Sequence, residues 1–187
     1  MRVARVLTLG GLAGALACAR PACEGAPSGG RTATGTLGSS KDARAAIVGA
    51  WRLVSIIDSL PDGRTASWMG EHPQGILVYD AAGYMSAQLM APARPRFPGH
   101  GPPLRDAVSD STVRAAFAGY YAYFGRYEIF PDSQLVVHHV QGSLWPAEVG
   151  LRRRRVYRLA GNRLSLRALP ERDGVRYPRW LTWERVP

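Results

Sequence analysis

Strand-like segments separated by short turns recur from residue 51 to residue 186, and this pattern restricts the fold more than any other feature. Three pairs of such segments, at 75–90, 121–143 and 153–168, are each joined by a turn containing glycine, asparagine, proline or aspartate. These residue types support tight turns between antiparallel strands. The chain therefore predicts an all-β domain built from sequential hairpins.

About eight to nine antiparallel strands follow from this pattern, with one short helix at 109–118 inserted between them. Ser109 or Asp110 would cap that helix, and Gly119 would end it. Closing the sheet into a barrel removes its exposed edges, and about eight strands enclose room for one small ligand. We therefore expect a single antiparallel up-and-down β-barrel, with a β-sandwich as the alternative.

The hairpins also predict which side chains point into such a barrel. In the hairpin at 121–143, a turn of two or four residues within 130–133 sets His138 opposite Gly125, with Tyr123 and Tyr127 on the same face. A glycine opposite a histidine leaves space above the imidazole, which predicts a small pocket with one polar group. In the hairpin at 75–90, the purely apolar face that contains Val78 is expected to point inward.

The first 42 residues are predicted to lie outside the domain. Two arginines precede a short apolar stretch that ends in small residues at Ala17. This is the pattern of a secretory signal peptide over residues 1–17, so we expect an exported protein, periplasmic or secreted. Residues 18–42 are rich in glycine, serine, threonine, alanine and proline and predict a flexible tether. The folded domain is expected to span residues 43–187.

Cys18 and Cys23 are the only two cysteines, and both precede the expected domain. A disulfide or a thiolate metal site within the domain is therefore excluded. The residues ending at Cys18 resemble the lipoprotein box of bacteria. Two outcomes stay open, simple cleavage after Ala17 or attachment of a lipid to Cys18, and only the second would tether the protein to a membrane.

The positive charge does not indicate a nucleic-acid partner, although the formal net charge is +10. Lys41 is the only lysine, and this preference for arginine is typical of the codon use of a GC-rich genome. Nucleic-acid surfaces usually combine clustered charge with stacking aromatic residues. Residues 152–154 are interpreted as a solvated basic patch, so no nucleic-acid partner is expected. Arg155 either belongs to this patch or, if buried, requires a carboxylate or an anionic ligand.

The order of several sequence blocks resembles the bacterial and fungal lipocalin-like domain family, whose fold is a calycin-like barrel. Gly49 and Trp51 are similar to the Gly-x-Trp signature of lipocalins, in which an arginine from a late strand stacks on the tryptophan. Arg179 or Arg185 would take that place. The longer matching blocks lie at 73–88, 123–127, 138–155 and 181–185. The resemblance covers nearly all of residues 46–186 and implies a barrel with a cavity, without implying a reaction.

His138 is the leading candidate for the polar group of the cavity, because neutral imidazole both donates and accepts hydrogen bonds. A structural role, with a bond to a neighbour such as Tyr127, is the alternative. His139 points to the opposite face, and His72 and His100 lie in loops without a carboxylate at ligand spacing, so no metal site is predicted. The predicted ligand-binding residues are Trp51, Tyr123, Tyr127, His138, Ser143 and Arg155.

Two functions from different classes fit these residues, and neither requires a cofactor. In the first, the barrel holds a small hydrophobic or amphipathic molecule beneath a proline-rich lid at 92–103. In the second, the protein is an isomerase, cyclase or dehydratase of a polyketide- or terpenoid-like substrate. His138 would then be the acid/base, and Tyr127 or Arg155 would polarise a carbonyl. No inward-facing carboxylate is evident in the sequence, and this favours binding.

Overall fold

The computed structural model describes residues 39–97, 108–172 and 174–187. The predicted signal peptide, Cys18 and most of the predicted tether fall within residues 1–38, outside the described residues. Residues 98–107, which include His100 and much of the predicted lid, also lie outside them.

A closed antiparallel barrel of eight strands forms the described domain. In chain order the strands are β1 (Gly49–Ser59), β2 (Thr65–Ala66), β3 (Gln74–Tyr79), β4 (Tyr84–Met90), β5 (Tyr120–Phe130), β6 (Leu135–Ser143), β7 (Arg152–Ala160), β8 (Arg163–Ala168), β9 (Glu171–Arg172), β10 (Val175–Arg176) and β11 (Arg179–Arg185). All except β2, β9 and β10 belong to the barrel, and β11 pairs with β1 to close it. The predicted up-and-down barrel is confirmed.

The alternation of side chains along the strands explains why the sheet closes around a core. Every second residue of β5 from Tyr121 to Ile129 is buried, while the alternate residues Phe124, Arg126 and Glu128 are exposed. A period of two in burial is the expected result when one face of a strand packs inward. Each fully buried large apolar side chain contributes about 1.5–3 kcal/mol to folding.

Helix α2, the second of two α-helices in the described residues, confirms the predicted helical insertion. Its bounds are Asp110–Ala118, and the Ser109 hydroxyl accepts a bond from the Thr112 amide at 3.3 Å. Gly119 follows the last helical residue, as predicted. The helix thus begins at a side-chain cap and ends at a glycine, which are the two usual boundary signals.

Helix α1 (Ser40–Ile47) has no counterpart in the sequence-based prediction, and the expected start of the domain at Ala43 falls inside it. The Ser39 hydroxyl caps it by accepting from the Asp42 amide at 3.2 Å. Ala43 and Ile47 are buried, so the helix packs its apolar face onto the barrel. Among the described residues, no helix has the length and apolar content required to cross a bilayer.

Arg185 joins α1 to the end of the barrel. Its guanidinium donates to the Ala46 carbonyl at 2.5 Å and to the Val48 carbonyl at 2.7 Å. It also lies 4.1 Å from the centroid of the buried Trp51 ring, a cation–π distance. Arg185 therefore takes the place that the lipocalin signature implies, whereas Arg179 pairs with a carboxylate elsewhere.

The pairing of β5 with β6 differs from the prediction. The strands are joined by a four-residue loop at 131–134, so Tyr127 lies opposite His138 and Gly125 lies opposite Val140. The predicted pairing of His138 with Gly125 is wrong, because the four-residue loop lies at 131–134, one residue later than the four-residue turn that the prediction allowed. A shift of two residues keeps every side chain on its own face, so the inward face is unchanged.

The inward face of β3 also differs from the prediction. The β3–β4 turn occupies three residues, 81–83, and Gly83 adopts the left-handed conformation with φ 92°. An odd loop length reverses the faces relative to a four-residue turn. Leu77 and Tyr79 are therefore buried and Val78 is exposed, so the expected inward position of Val78 is wrong.

Candidate functional site

A cavity of about 370 Å³ lies on the inner face of the barrel. Volumes of about 300–1,000 Å³ are typical of sites for small molecules. The lining residues are Trp68, Leu77, Ala87, Leu89, Tyr121, Tyr123, His138, Trp145, Glu148, Arg153, Arg155, Leu166, Ala168, Leu169, Pro170, Arg179, Leu181 and Trp183. Most of these side chains are aliphatic or aromatic, so the few polar groups determine which orientation a ligand takes.

His138 of β6 is held at both ring nitrogens. The imidazole is buried, with only 1% of its surface exposed. Tyr79 Oη of β3 lies 2.7 Å from Nε2, and Tyr123 Oη of β5 lies 2.8 Å from Nδ1. Three barrel strands therefore contribute one chain of hydrogen bonds, Tyr79–His138–Tyr123, which we call the Tyr–His–Tyr chain.

The direction of this chain follows from the position of Tyr79. Its hydroxyl is buried outside the cavity lining, and His138 is its hydrogen-bond partner among the described residues. A buried hydroxyl proton without an acceptor is costly, so we infer that Tyr79 donates to Nε2. The remaining imidazole proton is then on Nδ1, which donates to the Tyr123 oxygen. The Tyr123 hydroxyl proton is left to be donated into the cavity.

Burial keeps all three members of the chain uncharged near neutral pH. The pKa of His138 lies well below its usual value because burial penalises the imidazolium and the guanidinium groups of Arg155 and Arg153 repel it. Burial also raises the pKa of Tyr79 well above its ordinary value. It raises the pKa of Tyr123 as well, and the same two arginines oppose this rise. The chain thus supplies a neutral donor.

Glu148 is the carboxylate of the cavity, and its oxygens are already engaged. It lies at the end of a short 3-10 helix, Pro146–Glu148. It accepts from the Tyr121 hydroxyl at 2.9 Å and from the Ser143 hydroxyl at 3.0 Å, and it forms an ion pair with Arg153. Its role is therefore to position its neighbours.

Arg155 differs from the other two arginines of the cavity. Arg153 pairs with Glu148, and Arg179 makes two bonds to the Asp58 carboxylate, at 2.5 and 2.8 Å. The Arg155 guanidinium donates to the Arg154 carbonyl at 2.9 Å, and no carboxylate within the described ranges forms an ion pair with it. Arg155 therefore leaves one uncompensated positive charge at the cavity wall.

Sequence comparison places this barrel among known proteins. Residues 48–186 match the lipocalin-like domain family. The chain belongs to the lipocalin-like domain family. A similar protein is the 4'-hydroxy-3'-methoxypropiophenone carrier protein of Aspergillus oryzae, which is 30% identical over 114 residues. That match covers 55% of this chain and 97% of the relative. The resemblance drawn from the sequence blocks is thus confirmed.

The lipocalin-like barrel brings half of the predicted ligand-binding residues to its cavity. Those that line it are Tyr123, His138 and Arg155. Trp51 lies outside the lining, beneath Arg185. Tyr127 is also outside it, and its hydroxyl donates to the Asp80 carbonyl at 2.8 Å. Ser143 is also outside the lining, and its hydroxyl donates to the Glu148 carboxylate, which does line the cavity.

Besides His138, the described residues include two histidines, His72 and His139, and neither joins the site. His139 faces outward, and its Nε2 lies 3.3 Å from a Glu128 carboxylate oxygen. His72 is exposed in a loop. Across residues 39–97, 108–172 and 174–187, no group of three or more His, Cys, Asp or Glu side chains is close enough to hold a metal ion.

Sequence reasoning missed three residues that shape this site. Tyr79 lies on the face of β3 that was expected to point outward. The expectation assumed a four-residue turn at 80–83, whereas the turn has three residues and ends at Gly83. Glu148 corrects the statement that no inward-facing carboxylate is evident, and its signal was the preceding Pro146, which begins a short helical turn. The inward position of Arg153 could be predicted only together with that of Glu148, since the two side chains form an ion pair.

Proposed function

We propose that this lipocalin-like protein is a non-catalytic carrier of a small, mostly apolar molecule that contains a ring and an acceptor oxygen. The observation that carries this proposal is the pair of hydrogen-bond donors at the cavity wall, the Tyr123 hydroxyl and the Arg155 guanidinium. The relative from Aspergillus oryzae, whose name describes a carrier of a hydroxylated aryl ketone, supports the same class of function.

The polar groups of the cavity call for a ligand that accepts hydrogen bonds. Glu148 already accepts from Tyr121, Ser143 and Arg153. Both nitrogens of His138 are engaged. The groups left for a ligand are therefore donors, and a ligand oxygen would satisfy them.

The aromatic side chains of the lining favour a flat ligand. Trp68 and Tyr121 meet edge to face, with 5.2 Å between ring centroids, and Trp183 and Trp145 also border the cavity. Aromatic pairs in such tilted arrangements gain about 0.5–1.5 kcal/mol beyond burial. An aryl ring in the ligand would extend this set of contacts.

The contacts of His138 favour binding over the isomerase, cyclase or dehydratase alternative. A general acid or base needs a nitrogen within hydrogen-bond reach of the substrate, and the Tyr–His–Tyr chain occupies both. Of the two residues predicted to polarise a carbonyl, Arg155 lines the cavity, whereas Tyr127 bonds to the Asp80 carbonyl outside it. From residues 1–18, we further propose that the carrier acts after export.

Tryptophan fluorescence titration tests the proposed function, because Trp68, Trp145 and Trp183 border the cavity. We expect propiophenone to bind about tenfold more tightly than propylbenzene, which has the same ring without the oxygen, since one hydrogen bond contributes about 0.5–1.5 kcal/mol. The substitution Tyr123→Phe should reduce this preference, because Arg155 then remains as the single donor of the pair, and Tyr120→Phe, at a residue outside the cavity lining, should keep it in full. Absence of binding by both compounds, or equal affinity for them, would contradict the proposal.

A further inference from the structure

Resting on the proposed function, we propose that the cavity holds its ligand as an oxygen anion, the conjugate base of a phenol or an enol. The anionic oxygen would lie between the Arg155 guanidinium and the Tyr123 hydroxyl. The ligand class is then a weakly acidic hydroxyaryl or enol compound, which releases its proton to solvent on binding.

The charges at the cavity wall support this assignment. Glu148 neutralises Arg153, and Asp58 neutralises Arg179. Arg155 is the charged lining residue for which the described part of the chain supplies no carboxylate. A half-buried cation is stabilised when an anion enters the same low-dielectric space. A ligand that carries one negative charge would make the cavity neutral.

The Tyr–His–Tyr chain adds a second donor without adding a second charge. In the inferred direction of the chain, Tyr79 donates to Nε2 of His138 and Nδ1 donates to the Tyr123 oxygen, so the Tyr123 hydroxyl donates to the ligand. A hydroxyl that donates to an anionic oxygen makes a shorter and stronger bond than one that donates to a neutral oxygen. The two donors therefore favour the anion of the ligand over its neutral acid.

The lining favours a phenolate or enolate over a carboxylate. A carboxylate has two oxygens and about four lone-pair sites, which require several donors. The wall supplies one hydroxyl and one guanidinium, which is already partly engaged by the Arg154 carbonyl, beside aromatic and aliphatic side chains. One anionic oxygen attached to a flat ring matches this surface, because the rest of the ligand remains apolar.

Absorbance spectroscopy of the full chain with 4'-hydroxypropiophenone tests the inference, since a phenolate absorbs at longer wavelength than its phenol. The titration is run about one pH unit below the pKa of the free phenol. An opposite charge within about 4–6 Å lowers an acid's pKa by about 1–3 units. We therefore expect the phenolate band to appear on binding, and we expect the methyl ether 4'-methoxypropiophenone to bind at least about tenfold more weakly.

Substitutions of neighbouring arginines supply the matched comparison. Arg155→Gln should abolish the phenolate band and weaken binding of the phenol, whereas Arg155→Lys should retain part of the band because it keeps the charge. Arg154→Gln removes an exposed, outward-facing charge at the adjacent position and should leave the band unchanged.

The possible failures of the inference and of the proposed function are distinguishable. Fluorescence quenching by the phenol without a phenolate band, or equal affinity for the phenol and its ether, would overturn the inference and leave the carrier function intact. Tighter binding of benzoate than of the phenol would overturn the assignment to a phenol or enol. Absence of binding by every probe would overturn the inference together with the carrier function.

Discussion

Tyr79 does not touch the cavity, yet the inferred direction of the Tyr–His–Tyr chain makes it a positioning residue for the ligand. With Tyr79→Phe, Nε2 of His138 loses its donor, and a buried unsatisfied nitrogen costs about 1–3 kcal/mol of unfolding free energy. The imidazole proton can then move to Nε2, so Tyr123 turns its hydroxyl toward Nδ1. We expect lower stability in urea denaturation together with weaker binding of propiophenone.

The exposed Tyr84 of the same hairpin supplies the control for this prediction, and Tyr84→Phe should change neither property. A Tyr79→Phe protein that is less stable but binds propiophenone with unchanged affinity would show that Tyr79 does not set the direction of the chain.

His138 also predicts a dependence of stability on pH. Its pKa in the folded state is well below the value of about 6.5 in an unfolded chain, because burial and the nearby arginines disfavour the imidazolium. Below about pH 6.5 the unfolded state binds a proton that the folded state does not. The free energy of unfolding should therefore fall as pH decreases from 7 to 5, with a slope of up to about 1.4 kcal/mol per pH unit from this residue.

Urea denaturation at several pH values measures this slope. His138→Gln should flatten it, whereas His139→Gln, at the outward-facing neighbour, should leave it in place. An equal slope in the wild-type and His138→Gln proteins would assign the pH dependence to other groups.

At the scale of elements, Gly125 allows β5 to approach β6 at a bulge between Phe124 and Gly125. A β-carbon on this glycine would lie 1.9 Å from the backbone oxygen of His139, a distance that no side-chain rotation relieves. We expect Gly125→Ala to lower the free energy of unfolding by about 3 kcal/mol or more, because the two strands must separate.

Gly150→Ala is the control for Gly125→Ala, because it makes the same substitution at a glycine without close neighbours. Gly150 has φ 87° and open space around its α-carbon, so an alanine there meets only backbone strain of about 1–2 kcal/mol. Equal costs for the two substitutions in urea denaturation would mean that the close approach at Gly125 is relieved at little cost.

The same hairpins show where sequence reasoning succeeds and where it stops. The alternation of side chains along a strand predicted that Tyr123 and His138 share the inward face, and both side chains are buried. Pairing register and loop length depend on contacts between strands, so they are weakly encoded in local residue types. Tyr79 was consequently assigned to the wrong face by a one-residue error in the length of a loop.

For the molecule as a whole, the barrel was predictable because sequential hairpins have few ways to cover their edges. The cavity's charge was less predictable. Glu148 reaches the lumen from a short helical turn between strands, and Arg155 has the same local sequence pattern as its exposed neighbours. Only the closed sheet brings these side chains together, so their roles follow from tertiary structure.

The proposed export of the whole chain leads to a prediction about its covalent form. Residues 1–17 have the pattern of a signal peptide, and their removal would place Cys18 at the new N-terminus. We expect intact mass measurement on the full-length chain, produced in a bacterium, to show loss of these residues. A charge in the apolar stretch, as in Leu9→Asp, should retain them.

If Cys18 is also lipidated, the mass should include acyl chains that Cys18→Ser removes, and the protein should fractionate with membranes. A wild-type chain that keeps residues 1–17 in the cytoplasmic fraction would contradict export. The proposed ligand chemistry would be unaffected, because it rests on lining residues between Trp68 and Trp183.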